Sequence, residues 1–234
     1  MMSETVPEND VNSILRSRVI GNYDGYRRFI SEHESTGAFA RRQELFVTGP
    51  PISDPNPEIV SWIKKAAVGT KVLDVGCGAG AYSRVIQSEG FECIGIDINV
   101  DVLRSASNAG VQSLLVDAMK IAFRDKAFDM ILLIEVLEHV VNPGGLLTEA
   151  GRLAKKRIFI TVPNLEPLPY LAQFNVVMHH FLEPSHHCFF TKKMLEELLS
   201  KYFGRFEVER FGRFFPFLKS PQLYYHLRTV VDLE

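Results

Sequence analysis

A glycine-rich stretch, VLDVGCGAGAYS at residues 72–83, constrains the fold more than any other part of the chain. An apolar run passes through Asp74, and Gly76, Gly78 and Gly80 then alternate with other small residues before a helix-like segment begins. Because glycine accepts backbone conformations that other residues avoid, this spacing predicts a strand that turns tightly into a helix. The missing side chains would let a ligand approach the backbone, where the first N–H groups of the helix offer hydrogen-bond donors.

Apolar runs alternate with helix-like segments from residue 70 onward. Near-continuous apolar runs separated by helices are typical of a parallel sheet that is covered on both faces. The pattern therefore predicts a doubly wound α/β fold with a mostly parallel, Rossmann-like sheet. The predicted strands are 71–75, 92–97, 113–117, 128–134 and 157–162, and the predicted helices are 80–89, 100–109, 120–124, 135–140 and 145–155. A later helix is expected from Thr191, followed by a strand within 206–214.

The first 56 residues stand apart from this alternation. They look helical but irregular, and they end in TGPPISDPNPE, where four prolines in eleven residues mark a linker. Asn56 followed by Pro57 is a good helix start, with a capping side chain and then a proline at the first helical position. We expect residues 1–56 to form a helical N-terminal lid and linker, and residues 57–234 to form the main domain.

The composition narrows the class of protein. Hydrophobic residues make up 46% of the chain and charged residues 23%, which is ordinary for a globular domain. The net charge of −2 gives no bulk electrostatic case for a nucleic-acid partner, but it leaves room for a local basic groove. Three widely spaced cysteines favour a reducing compartment, and no run is long and apolar enough to cross a bilayer. A cytoplasmic protein is therefore expected.

The spacing of the glycine-rich stretch also fits a dinucleotide-binding loop, because Gly76, Gly78 and Ala81 satisfy the pattern G-x-G-x-x-G/A. Two further acids help to choose between ligands. Asp97 ends the second predicted strand, where a carboxylate can accept both hydroxyls of a ribose, and Asp117 ends the third. A nicotinamide dinucleotide explains the set of acids poorly, because its anionic pyrophosphate would be repelled.

A ligand with a cationic amino acid part, a ribose and an adenine explains the acids better, and that ligand is S-adenosylmethionine. Its ammonium is expected near the Asp74 loop, its ribose on Asp97 and its adenine amino group on Asp117. The candidate cofactor-binding residues are Asp74, Gly76, Cys77, Gly78, Gly80, Asp97, Ile98, Asp117, Ala118 and Met119.

The segment IEVLEHV at residues 134–140 places Glu135, Glu138 and His139 where the fourth predicted strand ends. Charged groups at the edge of a core are costly unless they are paired or used. Positions i, i+3 and i+4 share a helix face, so the three side chains should converge at the carboxyl edge of the sheet, beside the methyl group. A histidine with a pKa near neutrality is a natural general base, so His139 and Glu135 are the candidate catalytic residues.

These segments resemble the class I methyltransferase family over roughly residues 58–210. VLDVGCGAG is similar to the first motif of the family, GIDIN to its ribose-binding acid, VDAMKIAF to its adenine segment and FDMILLIEVLEHV to its fourth-strand motif. The resemblance implies a sheet of the seven-stranded type and S-adenosylmethionine as cofactor. It also implies a substrate lid built from the N-terminal segment and from an insertion at about 163–190.

Two branches of the family carry a pattern like EVLEHV. The chain resembles the small-molecule O-methyltransferases of the ubiquinone-biosynthesis type and, more weakly, the small-RNA 3′-terminal 2′-O-methyltransferases. In both branches some members hold a divalent metal through these residue types. The resemblance thus implies a metal site of Glu135, Glu138, His139 and the later His186. Two carboxylates and two imidazoles suit Mn²⁺, Zn²⁺ or Fe²⁺ better than Mg²⁺.

We expect an S-adenosylmethionine-dependent methyltransferase that acts on a small-molecule hydroxyl. The insertion at 163–190 is apolar and proline-rich, so the acceptor is expected to be partly apolar. One alternative is metal-dependent 2′-O-methylation of an RNA 3′ end. A second alternative is a non-catalytic module that only binds the cofactor, although an inactive site would not require Asp74, Asp97 and Asp117 together.

Overall fold

Seven strands form a single sheet in the order β3-β2-β1-β4-β5-β7-β6, within the residues that the computed structural model describes: 50–172, 180, 185–213 and 224–234. The first five strands of the chain run parallel to one another, whereas β7 is antiparallel to both β5 and β6. The strands are β1 Lys71–Val75, β2 Glu92–Asp97, β3 Gln112–Leu115, β4 Phe128–Ile134, β5 Ala154–Pro163, β6 Phe206–Arg213 and β7 Tyr224–Asp232.

Helices connect these strands and begin at the side chains that the sequence predicts. Asn56 accepts hydrogen bonds from the backbone N–H groups of Glu58 and Ile59, and Thr191 accepts one from that of Met194. Both side chains satisfy donors that a helix start leaves open. The helices are α1 Pro57–Ala66, α2 Ala81–Ser88, α3 Val100–Asn108, α4 Pro143–Leu153, α5 Leu168–Ala172 and α6 Lys192–Leu199, and a 3₁₀ turn spans Leu137–His139.

The central strand β4 is buried along its whole length, which is why it reads as an unbroken apolar run. Its residues alternate between two cores. Ile131 and Leu133 pack on the side of α4 and α6, whereas Met130 and Leu132 pack on the side of α1 and α2. A sheet with helices on both faces is thus confirmed. No helix in the part of the chain that the structure describes is long and apolar enough to cross a membrane.

Two predicted helices are wrong. Residues 120–124 form no helix, and of 135–140 only the 3₁₀ turn at Leu137–His139 is helical. The second error has a clear cause: Glu135 adopts a left-handed backbone conformation with φ of 54°, so a right-handed helix cannot start there. The third strand also ends at Leu115, so Asp117 lies in the connection after it.

The strand β7 has no counterpart among the sequence predictions. Its register pairs Pro163 at the end of β5 with His226 near the start of β7. An antiparallel strand that enters the sheet here begins at the edge where the parallel strands end. Of the predicted lid segments, residues 1–49, 173–179 and 181–184 lie outside the described residues.

Candidate functional site

The glycine-rich loop after β1 is tightly folded. Gly76, Gly78 and Gly80 have φ values of 68°, 53° and 86°, which lie in a backbone region that residues with a Cβ rarely adopt. The Gly76 N–H donates to the carbonyl of Ile96 on β2 at 2.8 Å. A Cβ at Gly76 would lie 2.7 Å from Cγ2 of Val136, so this loop touches the turn that follows β4. The cofactor loop and the acid-rich segment are therefore neighbours.

Asp97 lies directly beside this loop. Its Oδ2 accepts a hydrogen bond from the Gly78 N–H at 2.9 Å, and its Oδ1 accepts one from the Asn99 N–H at 2.9 Å. The side chain remains partly exposed. Since each carboxylate oxygen carries two lone pairs, Asp97 can bind the loop and still accept two hydroxyl groups.

Asp74 and Cys77 face the interior of the protein. The Asp74 carboxylate is 2% exposed and accepts a hydrogen bond from the Ser83 hydroxyl at 2.6 Å. Burial raises the pKa of Asp74 to about 7 and raises that of the Cys77 thiol. The Cys77 side chain packs against Gly95, so Cys77 presents only its backbone to the outer side of the loop. The Asp74 side chain likewise supports the loop from beneath.

The connection after β3 carries the remaining predicted cofactor residues. Asp117 is exposed, and its Oδ1 accepts a hydrogen bond from the Met119 N–H at 2.9 Å. Ala118 between them is half-buried. Met119 reaches towards Gly145 at the start of α4, and Ile98 is 73% exposed next to Asp97. Exposed apolar side chains beside a carboxylate suit a flat, polar-edged ring such as adenine.

Glu135 leaves β4 with a fixed backbone. Its N–H donates to the carbonyl of Thr161 on β5 at 3.0 Å and lies 3.2 Å from the hydroxyl of the same residue. The left-handed turn directs its side chain towards β7, where Oε2 lies 3.5 Å from Nε2 of His226. The expectation that Glu135, Glu138 and His139 share one helix face is thus wrong.

Glu138 is a buried carboxylate. It is 1% exposed, and neither side-chain oxygen has a hydrogen-bond partner among the described residues. Burial and, secondarily, the charge of Glu135 hold its pKa well above the usual range for a glutamate. Its backbone carbonyl accepts hydrogen bonds from the N–H groups of His187 at 2.7 Å and Cys188 at 3.1 Å. These bonds hold the end of the insertion against the 3₁₀ turn.

The same contact brings His186 to the turn. One ligand atom each from Glu138, His139 and His186 lie within 4.8 Å of one another. The His186 Nδ1–H donates to the carbonyl of His180 at 2.9 Å, which leaves the lone pair of the neutral ring on Nε2. His139 Nδ1 and the Ser185 hydroxyl are 3.0 Å apart. Contacts of this kind fix the orientation of an imidazole ring, as they do at metal sites. Three of the four predicted metal ligands thus come together, and Glu135 does not join them.

His226 was not among the sequence-predicted site residues. Its ring stacks on Phe211 of β6 at 5.1 Å between centroids and meets the edge of His180 at 5.5 Å. The alternation of aromatic and β-branched residues in YYHLRTVVD is a strand signal that could have been found. The contact with Glu135, 91 residues earlier, depends on the order of the strands in the sheet, so it cannot be predicted from the spacing of neighbouring residues.

A family model described as a methyltransferase domain matches residues 38–202. The ubiquinone biosynthesis O-methyltransferase of Dechloromonas aromatica (strain RCB) is 35% identical over 132 residues, 52% of this chain. That match spans 57% of the relative's own length, and a Pseudomonas aeruginosa (strain LESB58) protein of the same description is 34% identical over the same share.

Solved structures share the fold. An S-adenosylmethionine-dependent methyltransferase from Archaeoglobus fulgidus superposes with a TM-score of 0.65 at 18% identity, covering 81% of this chain and 97% of that one. A magnesium protoporphyrin IX methyltransferase from Synechocystis PCC 6803, solved with bound S-adenosylhomocysteine, gives a TM-score of 0.57 at 16% identity over 88% of this chain and 99% of that one.

Proposed function

This chain belongs to the S-adenosylmethionine-dependent class I methyltransferases, and we propose that it methylates a hydroxyl group on a small, partly apolar molecule. The observation that carries the proposal is the contact between the two halves of the site. A Cβ on Gly76 would meet Val136, so the cofactor loop lies against the turn that carries the carboxylates and imidazoles. A methyl donor held by the loop is then next to groups that can manage the proton of an acceptor.

The cofactor is assigned to the loop and the two connections beside it. The amino acid part is assigned to the outer surface of the glycine loop, with Asp74 and Cys77 shaping the loop from below. Asp97 accepts the ribose hydroxyls while it holds Gly78 in place. Ile98, Asp117 and Met119 surround the adenine, and Ala118 lies between the last two of these residues in sequence.

Methyl transfer to oxygen requires that a proton leave. An alcohol has a pKa near ~16, comparable with water, and a phenol near ~10, so the protein must lower the barrier to deprotonation. Glu135 is the candidate proton acceptor, because its side chain is partly exposed and, since Oε1 is buried, Oε2 is the oxygen that an acceptor can reach. The acceptor oxygen bonds to the methyl carbon as the carbon–sulfur bond breaks, the proton passes to Glu135, and S-adenosylhomocysteine leaves.

A divalent metal fits the group of Glu138, His139 and His186. Their ligand atoms converge within 4.8 Å, and neither oxygen of the buried Glu138 carboxyl group has a hydrogen-bond partner among the described residues. One carboxylate with two imidazoles suits Mn²⁺, Zn²⁺ or Fe²⁺. When bound, such a metal would act as a Lewis acid that lowers the pKa of a hydroxyl placed on it. This assignment gives His139 the role of ligand and leaves proton transfer to Glu135.

Two observations support a small, partly apolar acceptor. The curated relatives carry the description of ubiquinone biosynthesis O-methyltransferases over the part of the chain that aligns. Beside the site, the half-buried rings of His186 and Phe189 lie 6.3 Å apart between centroids. Partly exposed flat rings suit an acceptor that carries an aromatic ring of its own.

The first test separates cofactor from acceptor. We expect S-adenosylhomocysteine at about a hundredfold excess over its Kd to add ~2.7 kcal/mol to the free energy of unfolding, raising Tm by roughly 5–10 °C, whereas NAD should leave Tm unchanged. Transfer of a radiolabelled methyl group from S-adenosylmethionine to a simple catechol, compared with its dimethyl ether, then tests for hydroxyl methylation. Equal labelling of the two acceptors would contradict O-methylation and leave the cofactor assignment intact.

The 2′-O-methylation of an RNA 3′ end is the second candidate. The convergence of Glu138, His139 and His186 favours it, since a metal there could hold the two hydroxyls of a terminal ribose. A short RNA with a free 3′-terminal 2′-hydroxyl would be labelled under this function, and an otherwise identical RNA with a 2′-deoxy end would not. Absence of label on both would remove this candidate.

A further inference from the structure

Glu135 has a strained backbone that the surrounding structure maintains. Its φ of 54° is one of two positive values at non-glycine positions among the described residues. Such a conformation is unfavourable for a residue with a Cβ and persists only where neighbours enforce it. The bonds from its N–H to Thr161 do so here. The strain directs the side chain away from the group of Glu138, His139 and His186 and towards β7.

The ring of His226, which faces that side chain, is held in place by the residues packed against it. Its ring lies on Phe211 with an interplanar angle of 26° and is met edge-on by His180. A Cβ on Gly212 would lie 3.3 Å from Nδ1, so that nitrogen faces the backbone of β6. The opposite nitrogen, Nε2, therefore points at Glu135, with Oε2 at 3.5 Å. The ring is 18% exposed, so packing rather than solvent sets its orientation.

The surroundings of the two nitrogens decide which one carries the proton. Nδ1 is buried and has no hydrogen-bond partner among the described residues, whereas Nε2 faces a carboxylate. A neutral histidine gains most when its N–H points at the negative charge. The protonated nitrogen is thus Nε2, and the pair is oriented as Nε2–H towards the Glu135 carboxylate.

We propose that His226 is a positioning residue for methyl transfer: its ring, fixed between β6 and His180, holds Oε2 of Glu135 so that a second lone pair of this oxygen receives the proton of the acceptor. This inference rests on the proposed function, because it assigns His226 to the step in which the acceptor loses its proton. No proton is taken by His226 itself. The new methyl–oxygen bond forms as the carbon–sulfur bond of the sulfonium breaks, the acceptor proton moves to Oε2, and this proton leaves to solvent after the product.

Three substitutions separate this role from packing. His226→Phe keeps a ring on Phe211 but removes the donor, and His226→Gln keeps an N–H at a similar distance from the backbone. Glu135→Gln removes the proton acceptor. His187→Phe is the matched control, because His187 is an exposed histidine near the site. Kinetics would be measured with a catechol as the acceptor, and S-adenosylhomocysteine binding would be measured for each variant.

We expect His226→Phe to lower kcat by about tenfold to a hundredfold with the KM for S-adenosylmethionine unchanged. His226→Gln should recover most of that loss, and His187→Phe should behave as the unmodified protein. In the Glu135→Gln background, His226→Phe should cause no further loss, because it acts through Glu135. The proposal would be overturned if His226→Phe lowered kcat in the Glu135→Gln background as much as in the unmodified protein. It would also be overturned if the kcat of His226→Gln were no higher than that of His226→Phe.

A measurement without turnover distinguishes failure of the pair from failure of the proposed function. In ¹⁵N spectra of labelled protein, His226 should show the Nε2-protonated neutral form, and this preference should weaken in Glu135→Gln. If the protein transfers no methyl group to catechol but shows this spectrum, the proposed function is contradicted and the pairing of His226 with Glu135 is supported. Protonation at Nδ1, or a spectrum indifferent to Glu135→Gln, would refute the pairing whatever the activity.

Discussion

The backbone N–H of Gly78 donates a 2.9 Å hydrogen bond to Oδ2 of Asp97. This bond ties the loop after β1 to the end of β2, and in the proposed function both of these segments contact the cofactor. Asp97 therefore does more than provide a carboxylate for a ribose. It also fixes the loop conformation that other ligand groups require, so a substitution there should affect the whole cofactor.

Substitution of Asp97 should remove cofactor binding. We expect Asp97→Ala to weaken S-adenosylhomocysteine by at least about a hundredfold, since it deletes charge-assisted hydrogen bonds and frees the loop. Asp97→Asn keeps one acceptor oxygen and should bind with intermediate affinity. Titration calorimetry measures both, with Asp101→Ala, an exposed acid at the start of α3, as the control. Undiminished affinity in Asp97→Ala would show that the ribose lies elsewhere.

Gly76→Ala should destabilise the protein through two separate effects. The left-handed φ of 68° costs about 1 kcal/mol, and a Cβ 2.7 Å from Val136 forces the neighbouring turn to move. Gly90→Ala is a matched control, because it has a φ of 89° but no atom within 4 Å of the new Cβ. Urea unfolding should show Gly76→Ala to be the more destabilised by about 1–3 kcal/mol.

The same pair allows a double-mutant cycle. Val136→Ala removes the methyl group that the new Cβ would meet, so the cost of Gly76→Ala should fall in that background towards that of Gly90→Ala. Additive costs would mean that the loop does not press on the turn after β4. The structural basis for the proposed proximity of donor and acceptor would then be lost.

Asp74 predicts a specific dependence of stability on pH. Its pKa is about 7 when folded against 3.8 ordinarily, so the folded state holds this proton more tightly than the unfolded chain. The contribution of Asp74 to the free energy of unfolding is greatest below pH ~4, declines as the pH rises to about 7, and then stays level. The total decline is at most about 4 kcal/mol. Asp74→Asn should remove this decline, so its stability relative to the unmodified protein should rise across that window.

Asp101→Asn serves as the control for that series, since Asp101 is an exposed acid. The measured quantity is the difference in free energy of unfolding between variant and unmodified protein at pH 4, 5.5, 7 and 8. A difference that does not change with pH would show that Asp74 is ionised in the folded protein over the whole range.

Metal addition and Glu138→Gln should have linked effects. In chelator, the unmodified protein should lose stability as the pH rises above 4.5, because its buried Glu138 has a raised pKa, and Glu138→Gln should lose less. Mn²⁺ at a hundredfold excess over its Kd should add ~2.7 kcal/mol to the unmodified protein and nothing to Glu138→Gln. Calorimetric melting measures both effects.

Activity provides the complementary readout for the metal. Chelator should abolish methyl transfer to the catechol, and Mn²⁺ should restore it, whereas His187→Gln should leave both responses intact. Full turnover in chelator, together with no thermal response to Mn²⁺, would exclude a functional metal at Glu138, His139 and His186.

Local pattern predicted the parallel part of the fold well. The bounds 71–75, 92–97 and 128–134 match β1, β2 and β4, because strands buried on both faces form unbroken apolar runs. The capped start at Asn56 was also predicted, since capping depends on neighbours in sequence. Family resemblance added the cofactor, which the family model and the relatives support.

The errors arise where long-range contacts override local pattern. Glu135 would continue into a helix on spacing alone, but its bond to Thr161 holds it in a left-handed turn. The partner of Glu135 comes from β7, whose place between β5 and β6 cannot be read from any local segment. The three-residue group of Glu138, His139 and His186 was predicted from resemblance, and its convergence depends on backbone bonds from His187 and Cys188.

The place of β7 in the sheet has a consequence for biosynthesis. β6 is made before β7, yet it borders the sheet only through β7. A nascent chain that has reached residue 213 can therefore form the cofactor loop and pair its five parallel strands, while β6 has no strand to join. In the proposed function, the part of the site that binds the methyl donor therefore forms first. The part that accepts the proton needs His226, so a ribosome-bound chain should bind the cofactor before it can transfer the methyl group.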